Sequence, residues 1–141
     1  VGDDPLGDLR VRIAVTGGRY YSDRQRVFEA LDSINRDAGP IAELIHGAAA
    51  GADTLAAAWA SERGIAITPY PANWDDIDTQ PCRIGVRNGR HYNKLAGLNR
   101  NREMLLAGEP QILVVFSGGT GTAHCHATAL KMGIPTIEVD P

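Results

Sequence analysis

Cysteine is almost missing from this chain of 141 residues, in which only Cys82 and Cys125 occur. So sparse a pair excludes a disulfide-built scaffold. One bridge stays open as an alternative, but reduced thiols in a cytoplasm are the expected state. No apolar run approaches the roughly 18 residues that a membrane span requires. No charged segment followed by an apolar stretch opens the chain, so neither a membrane location nor a signal peptide is expected. The net charge is −3 and aromatic residues make up 6% of the chain. An acidic balance argues against general nucleic-acid binding, and nucleic acid is an unlikely partner on this ground. Histidine and cysteine meet at His124-Cys125-His126. Residues two apart on a helix point about 200° away from each other, so the spacing of a shared ligand pair is lacking. No metal and no cofactor are expected.

Glycine, by contrast, is plentiful, with 16 residues. Two glycine-rich loops stand out, Thr16-Gly17-Gly18-Arg19 near the start and Ser117-Gly118-Gly119-Thr120-Gly121-Thr122 near the end. Each follows a short apolar run, Val11–Val15 or Ile112–Phe116, and precedes a helical pattern. A residue without Cβ lets backbone N–H groups approach an anion, and a helix N-terminus adds partial positive charge. One such loop can be a mere tight turn. Two in one small chain point to a single pocket that grips a phosphorylated or nucleotide-like ligand from two sides.

Strand and helix patterns alternate throughout. Ser22-Asp23-Arg24-Gln25 reads as a capping box with Ser22 as N-cap, before an amphipathic helix over about 24–36. Ile41–His46 reads as a second strand. Gly47–Ala52 is a small-residue loop, and Asp53 reads as the cap of the next helix. A third strand over 65–70 contains Pro69 and belongs near an edge. From Pro71 to about Leu98 no period is visible, and so long a loop is usually functional or disordered. Asn99 or Asn101 then caps a short helix, 111–116 is the fourth strand, Thr122 starts the last helix, and 134–139 is the fifth strand.

This pattern predicts an α/β, Rossmann-like three-layer sandwich around a parallel five-stranded sheet of order 3-2-1-4-5. Its two glycine loops then meet at the topological switch point, where open α/β sheets bind ligands. Residues 1–9 read as a flexible arm and 10–141 as a single domain.

Taken in order, Val15-Thr16-Gly17-Gly18-Arg19, His46-Gly47, Gly51-Ala52-Asp53, Pro69-Tyr70-Pro71-Ala72 with Trp74, Ala96-Gly97, Arg100-Asn101 with Met104, and Gly118–Ala123 resemble the SLOG superfamily. The likeness is strongest to its YspA/YpsA-related branch. The resemblance implies a nucleotide or nucleotide-derived ligand at the C-terminal edge of the sheet, with the protein as sensor or sequestering module, and a homo-oligomer of at least two chains. It is more distant to the DprA proteins, which makes single-stranded DNA binding a second alternative, and to the LOG-type phosphoribohydrolases, whose reaction is the first alternative. The latter cleave the N-glycosidic bond of nucleoside monophosphates, and their glycine loop is followed by a glutamate. Here that position is Cys125. A carboxylate stabilises the developing oxocarbenium ion or activates water, and a neutral thiol does neither well.

The residues proposed to touch the ligand are Gly17, Gly18, Arg19, His46, Gly47, Asp53, Arg100, Asn101, Ser117, Gly118, Gly119, Thr120, Gly121 and Thr122. Arg19 is either a phosphate clamp or a turn arginine, and Arg100 is favoured as a phosphate contact over a structural role. Asp53 is a helix cap first and a contact to sugar hydroxyls second. Arg83, Arg87, Arg90, Lys94, Arg100 and Arg102 fall within 79–102, which holds no acidic residue. This is a candidate local anion trap. Trp74 either stacks on a base or packs the long segment onto the body.

Overall fold

Residues 10–141 are described by a computed structural model; the arm expected over 1–9 lies outside them. Strands form where aliphatic and β-branched residues run together: β1 (Val11–Thr16), β2 (Ile41–His46), β3 (Ala66–Pro69), β6 (Ile112–Val115) and β7 (Thr136–Glu138). They pair in parallel in the order β3-β2-β1-β6-β7. With the fourth and fifth core strands numbered β6 and β7, this is the predicted 3-2-1-4-5 sheet. Its Pro69-bearing strand does lie on an edge.

Successive side chains of a strand leave on opposite faces, and the sheet is buried on both. One face sends Ile13, Val15, Leu44, Val114 and Phe116 against α1 (Arg24–Asp37) and α2 (Ala52–Glu62). The other sends Ala14, Ile45, Leu113 and Val115 against α3 (Ala96–Gly108) and α4 (Thr120–Lys131). Trp59 of α2 is fully buried, and its indole N–H donates to Asp32 at 2.9 Å. No helix among the described residues is long and apolar enough to cross a membrane.

Four local expectations are corrected. Asp23, not Ser22, caps α1, its carboxylate accepting from Arg26 N at 3.0 Å, while Gln25 turns along the helix to Glu29. Helix α3 starts at Ala96, so Asn99 and Asn101 lie inside it. Its entry is held instead by buried Asn93, whose Oδ1 accepts from Leu95 N at 2.9 Å and Arg83 N at 3.1 Å. Helix α4 starts two residues early, at Thr120, with Gly119 as N-cap. The segment read as an aperiodic loop contains an antiparallel hairpin, β4 (Ile84–Arg87) and β5 (Arg90–Asn93). Its two-residue turn is Asn88-Gly89, both at positive φ, 52° and 76°. Such a turn matches the twist of the flanking strands.

Candidate functional site

The chain reverses its direction across the sheet between β1 and β6, and the loops that leave these strands close around one cavity of about 680 Å³. The first loop is pinned by backbone alone. Gly18 N donates to Ser117 O at 2.9 Å, and Gly18 O accepts from Ala52 N at 3.2 Å. The glycines are required by this crowding. A Cβ on Gly17 would lie 2.5 Å from that of Ala52, and one on Gly51, at φ +80°, would overlap Gly18 O.

The second loop opens α4, whose N-cap Gly119 supplies no side-chain bond. Among the described residues, the N–H groups of 118–122 have no protein acceptor. They line the cavity as a row of open donors at a helix N-terminus, the arrangement that favours an anion. Asn101 fastens the row from below: its Nδ2 donates to Gly121 O at 3.2 Å, and its Oδ1 accepts from Arg100 Nε at 2.9 Å.

Arg100 lies in the second turn of α3, past the reach of that helix's N-terminal dipole. Its Nη1 donates to the carbonyls of Gly47 and Tyr70, so two of its three nitrogens hold the scaffold. Nη2 has no protein partner among the described residues, and the residue still lines the cavity.

Asp53 is not the N-cap of α2. It is the second helical residue, and its Oδ2 reaches back to accept from Gly47 N at 3.0 Å and Ala49 N at 3.2 Å. Its Oδ1 is buried without a partner. Burial pushes the Asp53 carboxyl up to about 6, against the opposing pull of the Ala49 and Gly47 amides and of Arg100.

Thirteen of the fourteen expected residues thus line one cavity. His46 does not. It ends β2 at 8% exposure, and its Nδ1 accepts from Ala48 N at 2.9 Å, shaping the turn. Burial, then Arg100, holds this imidazole below its ordinary value, which suits the accepting, neutral ring. Val15, Tyr20, Tyr21, Ala49 and Met104 also line the cavity and were not foreseen, and so does Thr16, the first residue of the first glycine loop. Tyr20-Tyr21 directly after Gly-Gly-Arg was the available signal: Tyr20 is 89% exposed, while Tyr21 packs on Phe116 with ring centroids 5.4 Å apart. Trp74 stays outside this cavity, with its ring against Gly97.

Cys125 is fully buried beneath the sheet among Ala14, Met104, Leu105 and Ala129, and does not line the cavity. Burial pushes its thiol up to about 11. His124 approaches Asn101, and His126 approaches Thr136 and Glu138.

Residues 11–76 match the model of YAcAr, the YspA, cpYpsA-related SLOG family. The chain is 35% identical over 134 residues to Gene 61 protein of Mycobacterium phage D29, covering 90% of this chain and 94% of that one. Among solved structures it is similar to DNA processing protein A (DprA) of Streptococcus pneumoniae. The TM-score is 0.64 at 16% identity, over 92% of this chain and half of that one. It is also similar to DprA of Helicobacter pylori, with TM-score 0.60 and 16% identity, over 98% of this chain and 69% of that one. That structure describes a single-stranded DNA binding mode of the Helicobacter protein. The likeness to both is one of fold. It overturns the exclusion of nucleic acid from net charge. Net charge sums over the whole surface, whereas a strand is held by the local field along its path.

Proposed function

Given that the chain belongs to the YspA, cpYpsA-related SLOG family, we propose that the cavity between β1 and β6 binds a phosphorylated nucleotide derivative. Residues 10–141 act as one ligand-binding domain that senses or sequesters that molecule. The observation that carries this reading is the row of unpartnered N–H groups over 118–122, set opposite Gly17-Gly18-Arg19. Phosphate oxygens satisfy such donors, and Arg19 with the open Nη2 of Arg100 adds charge. The exposed Tyr20 at the rim offers a ring face to a base. The volume falls within the ordinary range of small-molecule sites.

A hydrolase reading is weaker. The position that carries glutamate in the phosphoribohydrolases is a buried, neutral thiol outside the cavity. Asp53, the acid nearest to replacing it, spends one oxygen on Gly47 and Ala49. The test is calorimetric titration with ADP, AMP and adenosine, together with chromatography of the same mixtures. Binding of ADP and AMP but not adenosine, with no free adenine released, supports the reading. Equal affinity for adenosine removes the phosphate grip, and accumulating adenine makes the protein an enzyme.

A second reading, single-stranded nucleic acid, is favoured by the DprA likeness and by hairpin arginines that have no acidic partner among the described residues. A mobility shift of a dT12 oligonucleotide that weakens steeply with salt would support it. The hairpin also exposes Ile84 and Val86, at 55% and 64%, as the surface for the proposed homodimer. Sedimentation showing only monomer at micromolar concentration would refute that assembly.

A further inference from the structure

A second cleft, of about 350 Å³, lies between the first glycine loop and the hairpin. Arg19 lines both it and the main cavity, so the two adjoin. Its walls combine Arg19, Arg87 and Arg90 with Trp74, His91 and Tyr92; Asp75 is the one carboxylate among them.

Three features of this cleft stand out, although Arg87 itself rests on the Tyr92 ring. First, Arg87 and Arg90 are directly opposed cross-strand partners, an arrangement in which like charges destabilise the pair. Second, none of the three arginines has a carboxylate within ion-pair distance among the described residues. Third, Trp74 is 43% exposed although its ring is held in place against Gly97. The hairpin itself is firmly placed. Asn93 N donates to Trp74 O at 2.8 Å, and Asn99 Nδ2 donates to Pro81 O at 2.9 Å. The Tyr92 ring covers Gly85, its cross-strand partner, and carries the Arg87 guanidinium 4.9 Å from its centroid.

Anchored aromatic faces beside uncompensated guanidinium groups suit a flat base joined to a phosphate. A single nucleotide in the main cavity leaves this cleft empty. A ligand of two nucleotide units joined through their phosphates fills both: its bridge lies at Arg19 and its second base lies among Trp74, Tyr92 and the hairpin arginines. We propose that the hairpin cleft is a second-nucleotide subsite, and that the physiological ligand is a dinucleotide. This rests on the reading of the glycine cradle as a phosphate site.

The experiment compares diadenosine pyrophosphate with ADP by calorimetry, on the wild type, on Arg87→Ala/Arg90→Ala and on Trp74→Ala. Circular dichroism serves as the folding check. The hairpin arginines are exposed, so the double variant is expected to fold. In the wild type the dinucleotide binds about tenfold or more tighter than ADP. The arginine variant loses about that factor for the dinucleotide, the range of one or two charged hydrogen bonds, and keeps ADP affinity within about twofold. Trp74→Ala weakens the dinucleotide selectively as well. Equal affinities in the wild type, or equal losses for both ligands, overturn the subsite. A dT12 oligonucleotide that displaces the dinucleotide and loses more affinity in the arginine variant also overturns it, making the cleft a strand path. If neither ADP nor the dinucleotide binds, the cradle reading fails instead.

Discussion

Asp53→Asn should change how stability depends on pH, because the wild-type carboxylate is charged in a place that disfavours charge. Asp53 is 5% exposed, its Oδ1 is without a partner, and its carboxyl is raised from 3.8 to about 6. A folded-state value above the unfolded one means that the unfolded chain ionises first. The stability contributed by the protonated acid is therefore whole below about pH 4 and is lost as pH rises through about 6. At roughly 1.4 kcal/mol per pH unit between the two values, the loss is about 3 kcal/mol, a large share of an ordinary domain's stability.

Asparagine keeps an oxygen for Gly47 N and Ala49 N but cannot ionise. Its amide N–H groups gain no acceptor, a cost of about 1–3 kcal/mol that is the same at every pH. The readout is therefore the difference between variant and wild type in urea unfolding from pH 4 to 8. It should rise by about 3 kcal/mol in the variant's favour between pH 4 and 7 and then level off. His46 titrates in both proteins and largely cancels. A flat difference would show that Arg100 and the two amides already offset the burial.

The two central glycines of the second loop should separate. A Cβ on Gly118 would overlap the Thr122 hydroxyl, so Gly118→Ala is expected to cost about 1–3 kcal/mol in thermal or urea unfolding. A Cβ on Gly119 meets nothing, so Gly119→Val should fold yet lose ADP in calorimetry because the side chain stands before the open amides. Arg100→Ala removes the donor to the Gly47 and Tyr70 carbonyls and should destabilise by about 1.5–3 kcal/mol. If its Nη2 also holds phosphate, AMP weakens much more than adenosine; equal weakening makes it a scaffold residue only. Trp59→Ala should cost about 3–5 kcal/mol in urea unfolding, and Trp59→Phe clearly less, because it keeps a ring in the core while losing the bond to Asp32 and part of the indole's packing.

The parts of this molecule that sequence made legible are those whose cause is local. Apolar runs interrupted by glycine turns specify five strands, and the handedness of parallel crossovers leaves few ways to order them. The glycines of both loops were found because close backbone approach demands that residue type wherever it occurs. The helix entries were misread because several short polar side chains stand near each boundary, and the path of the chain decides which of them turns inward. Asp23 wins over Ser22, and Asn93 acts three residues before the helix it serves. The hairpin escaped for a different reason. Its buried positions are Gly85 and Asn93, while Ile84 and Val86 point outward, so reading apolar residues for burial inverts its pattern. Asn88-Gly89 was the signal that survived, since it reports backbone shape and not burial. Arg100 shows the limit on the site itself. Its neighbours in sequence place it near an anion, but its partners Gly47 and Tyr70 come from other turns of the chain. Only the fold reveals that most of its donors are already engaged. Arg19 gains its meaning in the same way, since the hairpin it faces is far away in sequence and forms the second wall of the cleft they share.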